Sequence, residues 1–328
     1  MIKIVFRRGV DLGGNRTHFV AIATLGETAM IRTALVASLA LTATAQAQSD
    51  NEVYVETTDL GSGLYMLATN MAGNVGVSVG EDGVFMIDTQ MERFAEAIDQ
   101  AQRAVSNDQA VDLVLNTHLH GDHVRGNAYF AEQGATIIAH PSVRDGLMNP
   151  VTAQLTGSTP DPLSGGYLPT VGVTHGDVVT INGLTARLHH TPDAHTNGDL
   201  FVVFEEANVI HAGDLLFSGW FPYIDLDNGG TVDGYIAGMQ AIVDVADADT
   251  QVISGHGPLS TEADLEASIT MLTEAKARVQ ALVDQGLNLQ QVQDAAPLAD
   301  FHDDWNWGFI TTERMVWTLY RDITGETE

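Results

Sequence analysis

Short apolar runs separated by polar and glycine-containing turns predict a series of β-strands in the first part of the chain. These runs cover residues 53–57, 64–68, 75–79 and 84–88. The residues between them include Gly, Asn and Asp, which favour turns, so the pattern predicts consecutive antiparallel strands. Residues 94–105 instead place apolar side chains at helical spacing and predict the first helix.

The second part of the chain alternates between the same two patterns. Strands are predicted over residues 111–115, 135–139, 178–189, 200–204 and 209–211, and helices over residues 127–132 and 231–245. Thr261 and Asp264 have capping-box spacing and predict the start of a long helix that ends at Gly286. The tail, which carries several tryptophans, is predicted to form a final helical cover.

Residues 149–170 follow neither pattern. They contain Pro150, Pro160, Pro162 and Pro169 together with three glycines. A loop of this length inside a compact domain is usually a lid or a binding loop, or else an insertion into solvent. We expect a loop that borders a functional cleft, and a solvated excursion is the alternative.

Composition excludes some classes of function. Hydrophobic residues make up 45% of the 328-residue chain, which is typical of a globular protein with a substantial core. The formal net charge is −29 with only 14 Lys and Arg residues, so nucleic acid is disfavoured as a partner and a small-molecule substrate is expected. The chain has no cysteine, which excludes disulfides, thiolate ligands and a cysteine nucleophile.

The N-terminal region carries a secretory signal pattern. Met30 and Arg32 precede an apolar run over residues 34–43, and small residues follow up to Ala47. The apolar run is too short for an ordinary membrane-spanning helix. We predict an upstream extension over residues 1–29, a signal peptide over residues 30–47 and a catalytic domain over residues 48–328. The mature protein is then periplasmic or secreted, without membrane insertion; a surface or core helix is the alternative.

The densest cluster of chemically active side chains lies between residues 116 and 127. His118, His120, Asp122 and His123 fall within six residues, directly after the predicted strand 111–115. Neutral imidazoles beside a carboxylate are ligands that zinc and similar divalent ions prefer. A loop at the end of a buried strand is a rigid place to present such ligands, so the cluster predicts a metal site.

The order of the further motifs along the chain resembles one family. The motif His118-x-His120-x-Asp122-His123 is followed by His195 and Asp214, which lie near predicted strands, and then by His256. This series resembles the metallo-β-lactamase-fold hydrolases over roughly residues 53–258. The resemblance implies an α/β fold, a four-layer αβ/βα sandwich in which two mixed sheets are flanked by helices.

The resemblance also implies a ligand set and a reaction. It assigns His118, His120 and His195 to a first metal, and Asp122, His123 and His256 to a second, with Asp214 between them. The implied cofactor is two Zn²⁺ ions per chain. The implied enzyme is a dinuclear zinc hydrolase in which a shared hydroxide attacks the carbonyl of a cyclic amide, a lactone or ester, or a thioester. Asp122 is then also catalytic, because it accepts a hydrogen bond from the hydroxide and aims it.

Two departures from relatives narrow the expected substrate. Asp214 stands where the cysteine-containing β-lactamases have a thiolate, and Phe217 stands where they have a lysine. Arg125 is the only basic residue beside a motif ligand. These features predict weak β-lactam hydrolysis and better turnover of a neutral lactone or ester. A β-lactamase proper, a mononuclear iron enzyme of the persulfide dioxygenase type and a metal-binding protein without turnover remain alternatives, and the oligomeric state is open.

Several other residues near the motifs are secondary candidates. His211 is a candidate to orient Asp214, with a core histidine as the alternative. The remaining pocket candidates are His189, His190, Trp220, Phe221 and Tyr223, and ordinary packing is the alternative for each of them.

Overall fold

The computed structural model describes residues 3–5, 8–10, 16–18, 53–69 and 71–326. The predicted signal peptide lies outside the described residues. Within the predicted upstream extension the structure describes three short strands, although the sequence pattern predicts none there. The division of the chain into extension, signal peptide and catalytic domain stays a prediction.

The described elements alternate between strands and helices. The strands are β1 (Lys3–Val5), β2 (Arg8–Val10), β3 (Arg16–His18), β4 (Val55–Gly61), β5 (Leu64–Thr69), β6 (Val75–Gly80), β7 (Gly83–Ile87), β8 (Leu113–Asn116), β9 (Thr136–Ala139), β10 (Val171–Gly172), β11 (Val178–Ile181), β12 (Leu184–Thr191), β13 (Asp199–Phe204), β14 (Val209–Phe217) and β15 (Gln251–His256). The helices are α1 (Ala95–Val105), α2 (Gly121–Val124), α3 (Asn127–Glu132), α4 (Pro141–Met148), α5 (Val232–Val243), α6 (Glu262–Val283), α7 (Leu289–Asp294), α8 (His302–Trp305) and α9 (Thr312–Thr324).

Two large sheets, both mixed, organise the fold. The first has the order β10-β9-β8-β7-β6-β5-β4; its pairs from β4 to β7 are antiparallel and its pairs from β7 to β10 are parallel. The second has the order β1-β11-β12-β13-β14-β15, with antiparallel pairs from β11 to β14 and parallel pairs at both edges. Strands β2 and β3 form a separate pair.

The alternation of side chains across each strand explains the layers. On β7, Phe85 and Ile87 face the second sheet and join a core cluster with Leu188 and Val202. The intervening Met86 belongs to a different cluster, which includes Ile98 of α1. Because successive side chains of a strand point to opposite faces, each sheet buries one face on the other sheet and one face on helices.

The outer face of the second sheet is covered by the C-terminal helices. Leu215 of β14 packs in one buried cluster with Met239 of α5, Leu272 of α6 and Leu319 of α9. With α1 and α3 on the first sheet, this completes a helix–sheet–sheet–helix sandwich. The predicted fold class, a four-layer αβ/βα sandwich with two mixed sheets, is therefore confirmed.

The structure departs from the predicted elements at a few positions. The run 178–189 is two strands, because Asn182 (φ 54°) and Gly183 (φ 77°) both occupy the left-handed region and make a tight hairpin turn. Strand β14 continues to Phe217, so Asp214 lies within a buried strand. Helix α4 was not predicted. The capping box at Thr261 is present, as predicted.

No helix among the described residues has both the length and the apolar character needed to cross a membrane.

Candidate metal centre

The motif loop connects the end of β8 to the short helix α2. His118 lies in the loop and is buried, and His120 is the N-cap residue of α2. Their rings are 4.8 Å apart, and Nε2 of His118 lies 3.1 Å from Nδ1 of His120. The two side chains therefore point to the same place, as the i, i+2 spacing predicts.

A first group of four donors forms around these histidines. His195 follows β12, and its Nε2 lies 2.8 Å from Nδ1 of His120. Asp214 reaches the group from β14; its Oδ2 is 3.6 Å from Nε2 of His118 and 3.4 Å from Nε2 of His195. One donor atom from each of the four residues lies within 4.8 Å of all the others.

A second group of three donors lies beside the first. Asp122 and His123 are in α2, and His256 ends β15. Oδ2 of Asp122 is 3.6 Å from Nε2 of His123 and 3.3 Å from Nε2 of His256. The division into two groups matches the division that the family resemblance implies.

Asp214 joins the two groups. Its Oδ1 is 3.1 Å from Nε2 of His123, and its Oδ2 is 3.4 Å from Nε2 of His256. Gly255 makes room for this carboxylate, because a Cβ there would lie only 2.0 Å from Oδ1 of Asp214. The structure thus brings all seven predicted site residues together; that they ligate metal stays a prediction.

The outer nitrogen of each histidine in the first group meets a partner that accepts a proton. Nε2 of His120 lies 2.8 Å from Oδ2 of Asp225, and Nδ1 of His195 lies 2.7 Å from the carbonyl oxygen of Tyr223. These partners assign the protons to the outer nitrogens, so the nitrogens that face the centre carry lone pairs.

In the second group, Asp88 accepts the proton on the outer nitrogen of His123. It is fully buried at the end of β7, with a φ of 65°. Its Oδ2 accepts a bond from Nδ1 of His123 (2.7 Å) and one from Oγ1 of Thr117 (2.8 Å). Because the Thr117 hydroxyl gives its proton to Asp88, it accepts the proton on Nδ1 of His118, 3.0 Å away.

The facing lone pairs fit a cation. Three imidazole nitrogens and a carboxylate meet at distances of 2.8–3.6 Å with no proton assigned between them. Nε2 of His123 and Oδ1 of Asp214 are buried and have no hydrogen-bond partner among the described residues. Buried lone pairs without a partner are costly, and a divalent metal ion would satisfy them.

The pKa values of the donor residues also favour a bound cation. Burial lowers the pKa of His118 well below its usual value and lowers the pKa of His195 to about 4. Although burial alone would raise it, His123 and His256 hold the pKa of Asp214 well below its usual range. Despite burial, Asp214 and Asp122 raise the pKa of His256 to about 9. The carboxylates therefore attract positive charge, and the His118 and His195 side chains are neutral, which is their metal-binding form.

Aromatic side chains wall the second group. Phe217 stacks on His256 with 4.7 Å between ring centroids and 6° between planes. Trp307 lies 5.9 Å from Phe217 and stacks on Trp220 at 5.1 Å. Trp220 therefore contacts the second group through Trp307. Trp307 lies in the C-terminal tail between α8 and α9. The sequence pattern predicted that this tail covers the domain, but it did not predict a contact with the site.

The first group is bordered by Tyr223, whose ring is 5.2 Å from that of His120. Phe221, also a candidate, is instead fully buried in the core under α5 and α6.

For three histidine candidates the structure favours the alternative to a role in the site. His189 stacks on Phe201, and His190 stacks on His140, so neither belongs to the metal centre. His211 does not bond the Asp214 carboxylate; its Nδ1 accepts a bond from the backbone N–H of Gly213. It is a buried core histidine that holds the backbone next to Asp214.

Residues 68–256 match the metallo-beta-lactamase superfamily. Because this match covers more than half of the chain, the protein belongs to that superfamily, as the motif order predicts.

Curated relatives match over shorter stretches. A hydroxyacylglutathione hydrolase from Rhodopseudomonas palustris (strain BisA53) is 34% identical over 105 residues, which are 32% of this chain and 34% of that protein. A hydroxyacylglutathione hydrolase from Nitrosococcus oceani is 26% identical over 187 residues, 53% of this chain and 62% of that protein. The alignments thus span less than two thirds of these relatives.

Solved structures share the fold at low sequence identity. The sec-alkylsulfatase Pisa1 from Pseudomonas sp. superposes with a TM-score of 0.63 at 14% identity, covering 83% of this chain and 50% of that chain. A metallo-beta-lactamase from Pontibacter korlensis superposes with a TM-score of 0.54 at 15% identity, covering 67% of this chain and 99% of that chain. These likenesses concern the fold alone.

Proposed function

We propose that this protein is a metal-dependent hydrolase that holds two zinc ions and attacks the carbonyl of an ester, lactone or thioester. The observation that carries the proposal is the pair of donor groups that share Asp214. The proposed ligands of the first ion are His118, His120, His195 and Asp214, and those of the second are Asp122, His123, His256 and Asp214. Divalent ions at these positions would supply Lewis-acid chemistry, lowering the pKa of water and withdrawing charge from a carbonyl oxygen.

The two carboxylates of the site have different tasks in this proposal. The Asp214 side chain is 3% exposed and is enclosed by histidines, so it holds the two groups together. The Asp122 side chain is 20% exposed, so solvent can reach it. Neighbouring His123 keeps the pKa of Asp122 below its usual value against the effect of burial, so the carboxylate is ionised. It can therefore accept a hydrogen bond from the attacking water and orient it.

The relatives support carbonyl chemistry. Two of those reported above are named hydroxyacylglutathione hydrolases, a name that describes cleavage of an acyl–sulfur bond. A β-lactamase role has less support, because Phe217 stands where the cysteine-containing β-lactamases have a lysine and is buried against His256. Without a cation at that position, the carboxylate of a β-lactam lacks its charge-assisted partner.

Metal analysis and turnover test the proposal together. Elemental analysis of active protein should find two zinc ions per chain, and esters, lactones or thioesters should be hydrolysed. His120→Ala should lower kcat/KM by at least roughly 100-fold. His190→Ala is the matched control, because His190 bonds the Asn197 carbonyl outside the donor groups.

The alternatives give different results in the same experiment. Full activity with one metal per chain, iron above all, would replace the proposal with a mononuclear enzyme. Two bound metals without turnover of any carbonyl substrate would leave a metal-binding protein, and efficient penicillin hydrolysis with inert lactones would restore the β-lactamase assignment.

A further inference from the structure

A cavity of about 240 Å³ lies beside the first donor group. His120, Tyr223 and Asp225 line one part of it, so the cavity reaches a donor residue of the first group. Its remaining wall is mainly apolar and includes Leu119, Val124, Leu147, Val151, Leu163 and Phe309. Arg125, Asp161 and Asp225 supply its charged side chains, so the cavity has no excess of positive charge that would select an anionic acyl group.

The outer wall of the cavity is part of the proline-rich segment that the sequence predicts to border a cleft. The backbone N–H of Leu163 donates to the carbonyl of Leu147 at 2.8 Å. The N–H of Gln154 donates to Oδ2 of Asp227 at 2.8 Å, and Arg321 of α9 holds the same carboxylate oxygen at 3.0 Å. These bonds attach the segment to the domain and give the cavity a defined outer wall, which favours the predicted cleft-bordering loop over a solvated excursion.

We infer that this cavity binds the apolar acyl group of the substrate, and that the substrate is a neutral ester or thioester of a medium-length acyl chain. The inference rests on the proposed hydrolase function and adds the substrate class. At about 30 Å³ per water-sized group, a cavity of this volume holds roughly eight heavy atoms. An acetyl group would leave most of the apolar wall in contact with water, whereas a six- to eight-carbon chain would cover it.

A series of acyl thioesters with two to twelve carbons tests the inference on metal-loaded protein. Each methylene that enters the cavity should raise kcat/KM about fourfold. The increase should stop at roughly eight carbons, where the chain fills the available volume. A profile without any dependence on chain length, or one that is highest for acetyl, would overturn the inference.

Two variants shift the profile in opposite directions. Val151→Trp should fill the cavity and lower the preference for eight over two carbons by at least tenfold. Val151 is 42% exposed, so the larger ring needs no core space, and Val245→Trp is the matched control because Val245 is 47% exposed and lies outside the cavity. Leu163→Ala should enlarge the cavity and move the optimum to longer chains. If Val245→Trp changes the profile as much as Val151→Trp, the cavity is not the acyl site.

A binding measurement separates this inference from the proposed function. N-methyl alkanamides of the same chain lengths resist hydrolysis, and calorimetry on metal-loaded protein should find tighter binding up to roughly eight carbons. Length-dependent binding that Val151→Trp abolishes, without hydrolysis of any thioester, would support the acyl site and refute the hydrolase proposal. Hydrolysis together with binding that does not depend on chain length would support the hydrolase proposal and refute the acyl site.

Discussion

Replacing Asp88 with asparagine tests how the buried hydrogen bonds around the donor groups prepare the site for metal. The Asp88 carboxylate accepts bonds from the Thr117 N–H, the Thr117 hydroxyl and Nδ1 of His123, all at 2.7–2.8 Å. An asparagine has one oxygen and one NH₂ group, so whichever way it turns, the NH₂ group faces a donor. At least one buried donor then loses its partner, at a cost of about 1–3 kcal/mol.

The same change should weaken metal binding. Without the carboxylate, the proton of His123 is no longer held on the outer nitrogen, and the lone pair on Nε2 no longer points reliably at the centre. Loss of such a partner lowers metal affinity by about 10- to 100-fold, or about 1.4–2.7 kcal/mol. Competition with a chromophoric chelator measures the zinc affinity, and urea unfolding of chelated protein measures the stability separately.

Asp99→Asn is the matched control for Asp88→Asn. Asp99 is also buried, at 4% exposure, and its carboxylate bonds Gln102, Arg103 and Tyr129 on the far side of the first sheet. We expect it to lower the free energy of unfolding and leave zinc affinity unchanged. Equal loss of zinc affinity in both variants, or native affinity in Asp88→Asn, would refute the reasoning.

Three further predictions follow from the site and the N-terminus. Saturating the protein with zinc at about 1,000 times its Kd should stabilise it by about 4 kcal/mol for each bound ion, and a thermal transition that chelator leaves unchanged would contradict this. Arg125→Ala should raise KM about three- to tenfold for substrates with a carboxylate and less than about twofold for neutral ones, whereas Arg187→Ala, which removes a charge paired with Glu205, should affect neither. Protein recovered from a bacterial periplasm should begin near Gln48, and cytoplasmic protein that retains residues 31–47 would argue against export.

The donor residues were predictable from sequence because their relation is local or ordered. His118, His120, Asp122 and His123 follow one another on a single turn of chain, and the remaining donors come in family order beside strands. Their hydrogen-bond partners are not local. Asp88 is 35 residues from His123, and Asp225 is 105 residues from His120. Only the packing of strand ends brings these pairs together, and an aspartate at a strand end has no pattern of its own.

Some missed features did have a local signal. Asn182 and Gly183 form the residue pair that favours a tight hairpin turn, yet the apolar pattern on both sides suggested one long strand. Trp307 had no such local signal, because the pattern around it predicted only that the tail forms a helical cover on the domain. Its contact with Phe217 depends on tertiary packing of the tail.

The arrangement separates the proposed chemistry from the proposed specificity. The donors lie within or next to strands and on α2, and buried partners such as Asp88 fix them. The proposed acyl cavity is walled in part by a loop with exposed residues such as Val151. The two meet at the turn Leu226–Asn228, where Asp225 bonds His120 and Asp227 bonds the loop through Gln154. Because the Asp225 carboxylate also accepts bonds from the N–H groups of Asp227 and Asn228, the turn is rigid. The loop is therefore positioned relative to a proposed metal ligand, so substitutions along it can alter the cavity while the donor groups keep their geometry.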